Sequence, residues 1–204
     1  MSRVGLLGGT FNPPHTGHLL CAQSAAIALG LDEVRLIPAR VPPHKAVPED
    51  PGVAVRLEMC RLAVEGDPLL SVSGVEADRP GPSFTADTLR ALHDAEPEHE
   101  LTFIVGADMA RSLRSWREPE AVLSLARLAV AERQGVTRAE ILRELEGLPG
   151  VPERVGFFDM PRFDVSSTMV RDRAGAGLPI RHLVPDAVAE YVQARGLYRV
   201  EEAQ

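Results

Sequence analysis

Residues 8–18 read GGTFNPPHTGH and follow directly on the apolar run Val4-Gly5-Leu6-Leu7. Gly8 and Gly9 allow a sharp backbone turn and close approach to a ligand. His15 and His18 stand three apart, so on a first helical turn they would project to one side. A helix opening near Thr16 would add free N–H groups and a partial positive charge, which suits phosphate. Three readings compete. The first is a strand-to-helix turn with incidental histidines. The second is zinc, which needs a third ligand such as a nearby cysteine, and whose helical H-E-x-x-H motif spaces its histidines by four rather than three. The third is a phosphate site lined by neutral imidazole donors or imidazolium ions. Neither the G-x-G-x-x-G dinucleotide fingerprint nor a P-loop is present.

The elements that must position these residues follow from the hydrophobic pattern. Arg3–Leu7, Glu33–Pro38, Leu69–Val75, Leu101–Val105, Leu128–Ala131 and Val155–Phe158 read as strands. Helical segments fall between them at Thr16–Leu29, Val53–Glu65, Thr85–Ala95, Glu118–Ser124 and Thr137–Glu146, with two more near Ser167–Arg173 and Asp186–Arg195. On the second helix Val55, Met59, Leu62 and Ala63 share an apolar face. Short strands alternating with helices give an α/β fold, a doubly wound, mostly parallel, Rossmann-like sheet with helices on both faces. The chain reads as one domain over residues 1–204, with a small helical portion from about 166 packed on it. Ligands of such sheets bind beyond the carboxyl ends of the strands. There the turn after the first strand should meet the proline-rich segment 39–52 and the turn after LTFIV.

Composition narrows the function classes. The 204 residues are 45% hydrophobic and 25% charged, an ordinary globular balance. A net charge of −7 argues against a general binder of nucleic acid or acidic membranes. Cys21 and Cys60 form no C-x-x-C, so neither a disulfide framework nor a zinc knuckle is indicated. No apolar run reaches membrane-spanning length, and a cytoplasmic protein is expected. The 22 basic residues are arginines except for Lys45. A compact ammonium at that one position fits a point contact with phosphate better than a guanidinium fork, with a leftover from compositional bias as the lesser alternative.

The first motif resembles the H-x-G-H signature of the nucleotidyltransferase superfamily. Further segments resemble, in order, stretches of the bacterial nicotinate-nucleotide adenylyltransferases: IPARVPPHK (37–45), GPSFTADTL (81–89), FIVGADM (103–109), SW (115–116) and VSSTMVR (165–171). The likeness runs from Arg3 to about Tyr198. It implies an enzyme that joins ATP to nicotinate mononucleotide, releasing pyrophosphate and forming nicotinate adenine dinucleotide, with Mg2+ carried in on ATP and no metal site built by the protein. It leaves self-association open.

The resemblance also assigns residues. His15, His18 and Arg171 would serve the reacting phosphates, and Gly8, Gly9, Thr10 and Phe11 would wrap the nucleotide. Asn12 stands where relatives carry Asp or Asn. Ser166, Ser167 and Thr168 can cap the helix that follows and aim its N–H groups at phosphate, or simply cap a surface helix. Gly106 and Asp108 would reach the ATP ribose, although an Asp after a strand can equally be a helix cap. His44 and Lys45 would approach substrate phosphate from a stiff Pro-Pro segment. Trp116 would stack on the nicotinate ring, where its ordinary role is core packing. Phe84 and Thr85 would receive the nicotinate carboxylate. Alternatives are adenylyltransferases for nicotinamide mononucleotide or phosphopantetheine, a cytidylyltransferase, and a non-catalytic nucleotide sensor. The last has no need of both histidines together with Lys45 and Arg171.

Overall fold

The computed structural model describes residues 1–43, 49–132, 135–151 and 153–199. Its centre is a six-stranded parallel sheet built from β1 (Arg3–Gly9), β2 (Glu33–Pro38), β3 (Leu70–Val72), β4 (Glu100–Gly106), β5 (Arg127–Ala131) and β6 (Val155–Phe158). The strand order is β3-β2-β1-β4-β5-β6. Residue Leu7 of β1 pairs with Leu36 on one side and Ile104 on the other. The winding reverses between β1 and β4, and their carboxyl ends diverge into the crevice where ligands of such sheets bind.

The pleat alternates side chains between two cores. Leu6 faces Phe103, Val105, Ala86 and Leu89, beneath α3 (Thr85–Ala95) and α5 (Pro119–Leu125). Leu7 faces Ala22, Ala25 and Ala26 of α1 (Thr16–Leu29), together with Val34 and Ile104. A third cluster joins Met59 and Ala63 of α2 (Val53–Val64) to Val170 of α7 (Ser167–Gly175) and to Val188 and Val192 of α8 (Asp186–Ala194). Each buried valine there stabilises by roughly 1.5–3 kcal/mol. That is enough to hold the C-terminal helices as a firm support. No helix among the described residues is long and apolar enough to cross a membrane.

Differences from the sequence reading lie mostly at element ends. β1 runs on to Gly9 because Gly8 and Gly9 still pair with Ile37 and Pro38. β3 stops at Val72, since this edge strand has only β2 to pair with and the chain then turns, Asp78 donating to the Gly74 carbonyl at 2.9 Å. Thr137 is the cap of α6 (Arg138–Leu145), in a reciprocal capping box with Glu140. A short α4 (Ala107–Arg111) and a 3-10 turn (Leu113–Ser115) went unread. Their apolar contacts, Ala107, Ala110 and Leu113, cover too few turns for a period to emerge.

Candidate active site

The loop after β1 is held from several directions. Phe11 adopts a left-handed φ of 51°, which costs a non-glycine residue roughly 1–2 kcal/mol, and its buried ring lies against Gly9. Asn12 is buried; its Oδ1 accepts the Tyr198 hydroxyl at 2.7 Å, and its carbonyl accepts Arg171 Nη1 at 2.9 Å. The Pro13 carbonyl accepts the Ser167 hydroxyl at 2.8 Å. The first motif and the last, more than 150 residues apart in sequence, therefore share hydrogen bonds.

His15 is the cap residue of α1, and His18 lies on its first turn. The rings stack at 3.6 Å with 24° between planes, and the Phe11 edge meets His18 at 4.9 Å. A Cβ on Gly17 would come within 3.1 Å of the His15 ring, so the glycine makes room for it. The backbone N–H of His15 donates to His18 Nδ1 at 3.1 Å, which places the neutral His18 proton on Nε2. His15 Nδ1 is buried with no protein partner among the described residues. Burial lowers the His15 pKa from 6.5 to about 4. Burial, and then the charge of His15, hold His18 well below its usual range. Both rings are therefore held in the neutral form at pH 7 in the unliganded protein.

The N-terminus of α7 faces the same loop. Of the three hydroxyls expected to cap it, only Ser166 does so, accepting the Met169 N–H at 3.1 Å. Ser167 is turned to Pro13, and Thr168 accepts Arg171 Nη2 at 3.4 Å. The Arg171 side chain is only 10% exposed, and its Nε meets the Glu49 carboxylate at 3.3 Å. Its fork is thus partly engaged by the protein rather than wholly open to a ligand.

On the far side of β1, Phe103 links the crevice to Trp116. A Cβ on Gly8 would meet the Phe103 ring at 3.2 Å, and the Trp116 ring approaches Phe103 edge-on at 6.0 Å. Trp116 is half-buried, with its Nε1–H donated to Ser112 Oγ at 3.1 Å. Phe84 is the cap residue of α3 and Thr85 its first residue, with the Arg117 guanidinium 4.8 Å over the Phe84 ring. The segment after β2 is stapled to this corner: Arg40 N–H donates to Ser83 Oγ, and Ser83 N–H to the Val41 carbonyl, both at 2.9 Å. Gly106 caps α4, so Asp108 is not the cap; it lies exposed in the first turn, where its charge suits the helix dipole. A Cβ on Gly106 would find open space, so packing does not demand the glycine. His44 and Lys45 lie outside the described residues.

Sequence reasoning missed Arg56, Asp50 and Tyr198. Arg56 carried a signal: it falls three and four residues before Met59 and Cys60, on the buried side of α2. A charged residue in that stripe needs internal partners. Among the described residues, no three His, Cys, Asp or Glu side chains gather where they could share a metal ion.

A doubly wound parallel sheet with a paired-histidine loop at its switch point places the chain in the α/β class whose ligands bind at that crevice. Residues 6–173 match the cytidylyltransferase-like family model. A probable nicotinate-nucleotide adenylyltransferase of Roseiflexus sp. (strain RS-1) is 45% identical over 201 residues, covering 96% of this chain and 98% of the relative. The nicotinate-nucleotide adenylyltransferase of Bacillus subtilis (strain 168) is 38% identical over 97% of this chain and 99% of its own length. In fold, the chain is similar to a Plasmodium falciparum nicotinic acid mononucleotide adenylyltransferase solved with NaAD, at a TM-score of 0.77 and 17% identity, covering 97% of this chain and 98% of that one. The chain belongs to the cytidylyltransferase-like family and, within it, to the nicotinate-nucleotide adenylyltransferases.

Proposed function

We propose that this chain transfers the adenylyl group of ATP to the 5′-phosphate of nicotinate mononucleotide by direct in-line displacement. The observation that carries the reading is the convergence of a stacked histidine pair, His15 buried and His18 partly buried, with the capped N-terminus of α7 and Arg171 on one loop at the β1/β4 switch point. A phosphate monoester with a second pKa near ~6 is already an anion at neutral pH, so no general base is required. A 5′-phosphate oxygen bonds to the α-phosphorus while the bond to the departing pyrophosphate oxygen breaks. Catalysis is then positioning and charge stabilisation. His18 donates through Nε2–H to phosphate oxygen, His15 and Arg171 add donors, and the N–H groups of α7 face the same anion. Gly8, Gly9, Thr10 and Phe11 wrap the nucleotide, and Asp108 accepts from ribose hydroxyls at the Gly106 turn. ATP would bring Mg2+ with it as counter-ion, and that ion would supply charge neutralisation at the phosphates without a protein-built site. The phosphate-holding role of His44 and Lys45 rests on the sequence reading alone.

Trp116 offers a face to the pyridine ring, and the free N–H groups at the start of α3, beside Phe84 and Thr85, suit a carboxylate. A carboxylate only accepts hydrogen bonds, whereas an amide would set its NH2 against those donors. Leaving such a group unpaired costs about 1–3 kcal/mol, so kcat/KM should favour the acid mononucleotide by about tenfold to a hundredfold. The test is pyrophosphate release from ATP with nicotinate mononucleotide, nicotinamide mononucleotide and phosphopantetheine in parallel. Equal kcat/KM for the acid and the amide would overturn the choice of acceptor.

A further inference from the structure

We propose that Arg56 is a positioning residue for adenylyl transfer, fixing the nucleotide loop against the acceptor-side segment; this rests on the activity proposed above. Arg56 is wholly buried, yet each of its five N–H donors has a partner. Nη1 donates to the carbonyls of Thr10 at 2.9 Å and Ala39 at 2.7 Å. Nη2 donates to the Arg40 carbonyl at 3.3 Å and to Asp50 Oδ2 at 3.4 Å, and Nε to Asp50 Oδ1 at 2.8 Å. Asp50 Oδ1 also accepts the N–H of Gly52, the residue that caps α2.

The partners belong to different halves of the crevice. Thr10 lies in the loop that presents the histidines, one residue before the strained Phe11. Ala39 and Arg40 open the segment that binds Ser83, next to Phe84 at the start of α3. The two segments leave the sheet paired, Gly9 against Pro38 and the Ala39 N–H donating to the Gly9 carbonyl at 2.9 Å, and the rigid guanidinium carries that alignment one residue further, to Thr10 and Arg40, beyond the reach of the strand ladder. In-line displacement is sensitive to that alignment, because reacting atoms must be held in near-attack geometry. Lysine has three donors on a flexible stem and cannot reproduce a planar five-donor junction. The three partners that matter most here are backbone carbonyls, so the junction controls main-chain placement directly.

Arg56→Lys tests the proposal. At a temperature well below each variant's unfolding, and normalised to folded protein, kcat is expected to fall at least about tenfold. KM for ATP and for the acceptor is expected to stay within about threefold, because each half-site remains intact. Val64→Ala trims packing two turns along the same helix, on the side away from α7 and without touching the junction, and its kcat should match wild type. A tenfold loss of kcat in Val64→Ala as well, or kcat within twofold of wild type in Arg56→Lys, would overturn the proposal. If Arg56→Lys does not fold, Asp50→Asn decides. It keeps an acceptor for Gly52 and Arg56 Nε but loses the charge, and unchanged kcat there would also overturn the proposal. If wild type released no pyrophosphate with nicotinate mononucleotide, the acceptor assignment would fall. The same variants would then be compared with whichever acceptor supports release.

Discussion

Acidification should destabilise this protein through His15, by an amount the structure sets. Burial takes its pKa from 6.5 in an open chain to about 4 in the fold. The unfolded chain therefore binds the proton more tightly, so the stability is complete above about pH 6.5 and is lost as pH falls toward 4. Linkage with those two values gives a loss of about 2 kcal/mol at about pH 5, approaching about 3 kcal/mol below pH 4. His18 shifts in the same direction, but its contribution largely cancels when wild type is compared with a variant lacking only His15. His15→Asn is suitable because asparagine is itself a good helix cap. Urea unfolding at about pH 7.5 and about pH 5 should show wild type losing about 2 kcal/mol more than the variant. A difference below about 0.5 kcal/mol would mean that His15 titrates near its open-chain value and that the ring is not desolvated as argued.

Three further outcomes are expected. His18→Ala should lower kcat by about 10² or more with the fold intact, since it removes a donor to developing charge; kcat within threefold of wild type would refute the role. Arg171→Lys should weaken ATP binding, turnover or both, because it loses the bond to the Asn12 carbonyl along with the fork. Full activity in the lysine variant where alanine fails would show that charge alone matters. Chelation should abolish pyrophosphate release and added magnesium restore it, whereas tightly held zinc found by elemental analysis of the purified protein would revive the zinc reading of His15 and His18.

What could be read from sequence follows a physical divide. Strands and long helices carry their own period, so β2, α3 and β6 fall where the pattern places them. The segment 107–115 is too short to show one. Local site motifs were equally legible: GGTFNPPHTGH and VSSTMVR contain both their capping residues and their polar groups. For Arg56 the stripe of α2 signals burial but not the partners, because three of them are carbonyls that any residue type supplies at Thr10, Ala39 and Arg40. Tyr198 was unreadable for a related reason. Its partner Asn12 lies 186 residues away, and no local pattern encodes that bond.

The remaining question is the charge state in which the histidine pair would meet a triphosphate. Bringing His15 from about 4 up to half-protonation at pH 7 requires the bound anion to favour the charged ring by about three pKa units, or about 4 kcal/mol. His18 adds to the difficulty, because a proton on His15 would face a ring stacked at 3.6 Å. A neutral Nε2–H on His18 needs no such shift, and the His15 N–H already holds that tautomer in place. Arg171 supplies a permanent charge at the same loop. The economical division of labour is therefore fixed charge from the arginine and oriented neutral donors from the imidazoles. Under it, turnover should stay flat through the open-chain histidine range near pH 6.5 once phosphate ionisation of the acceptor is accounted for.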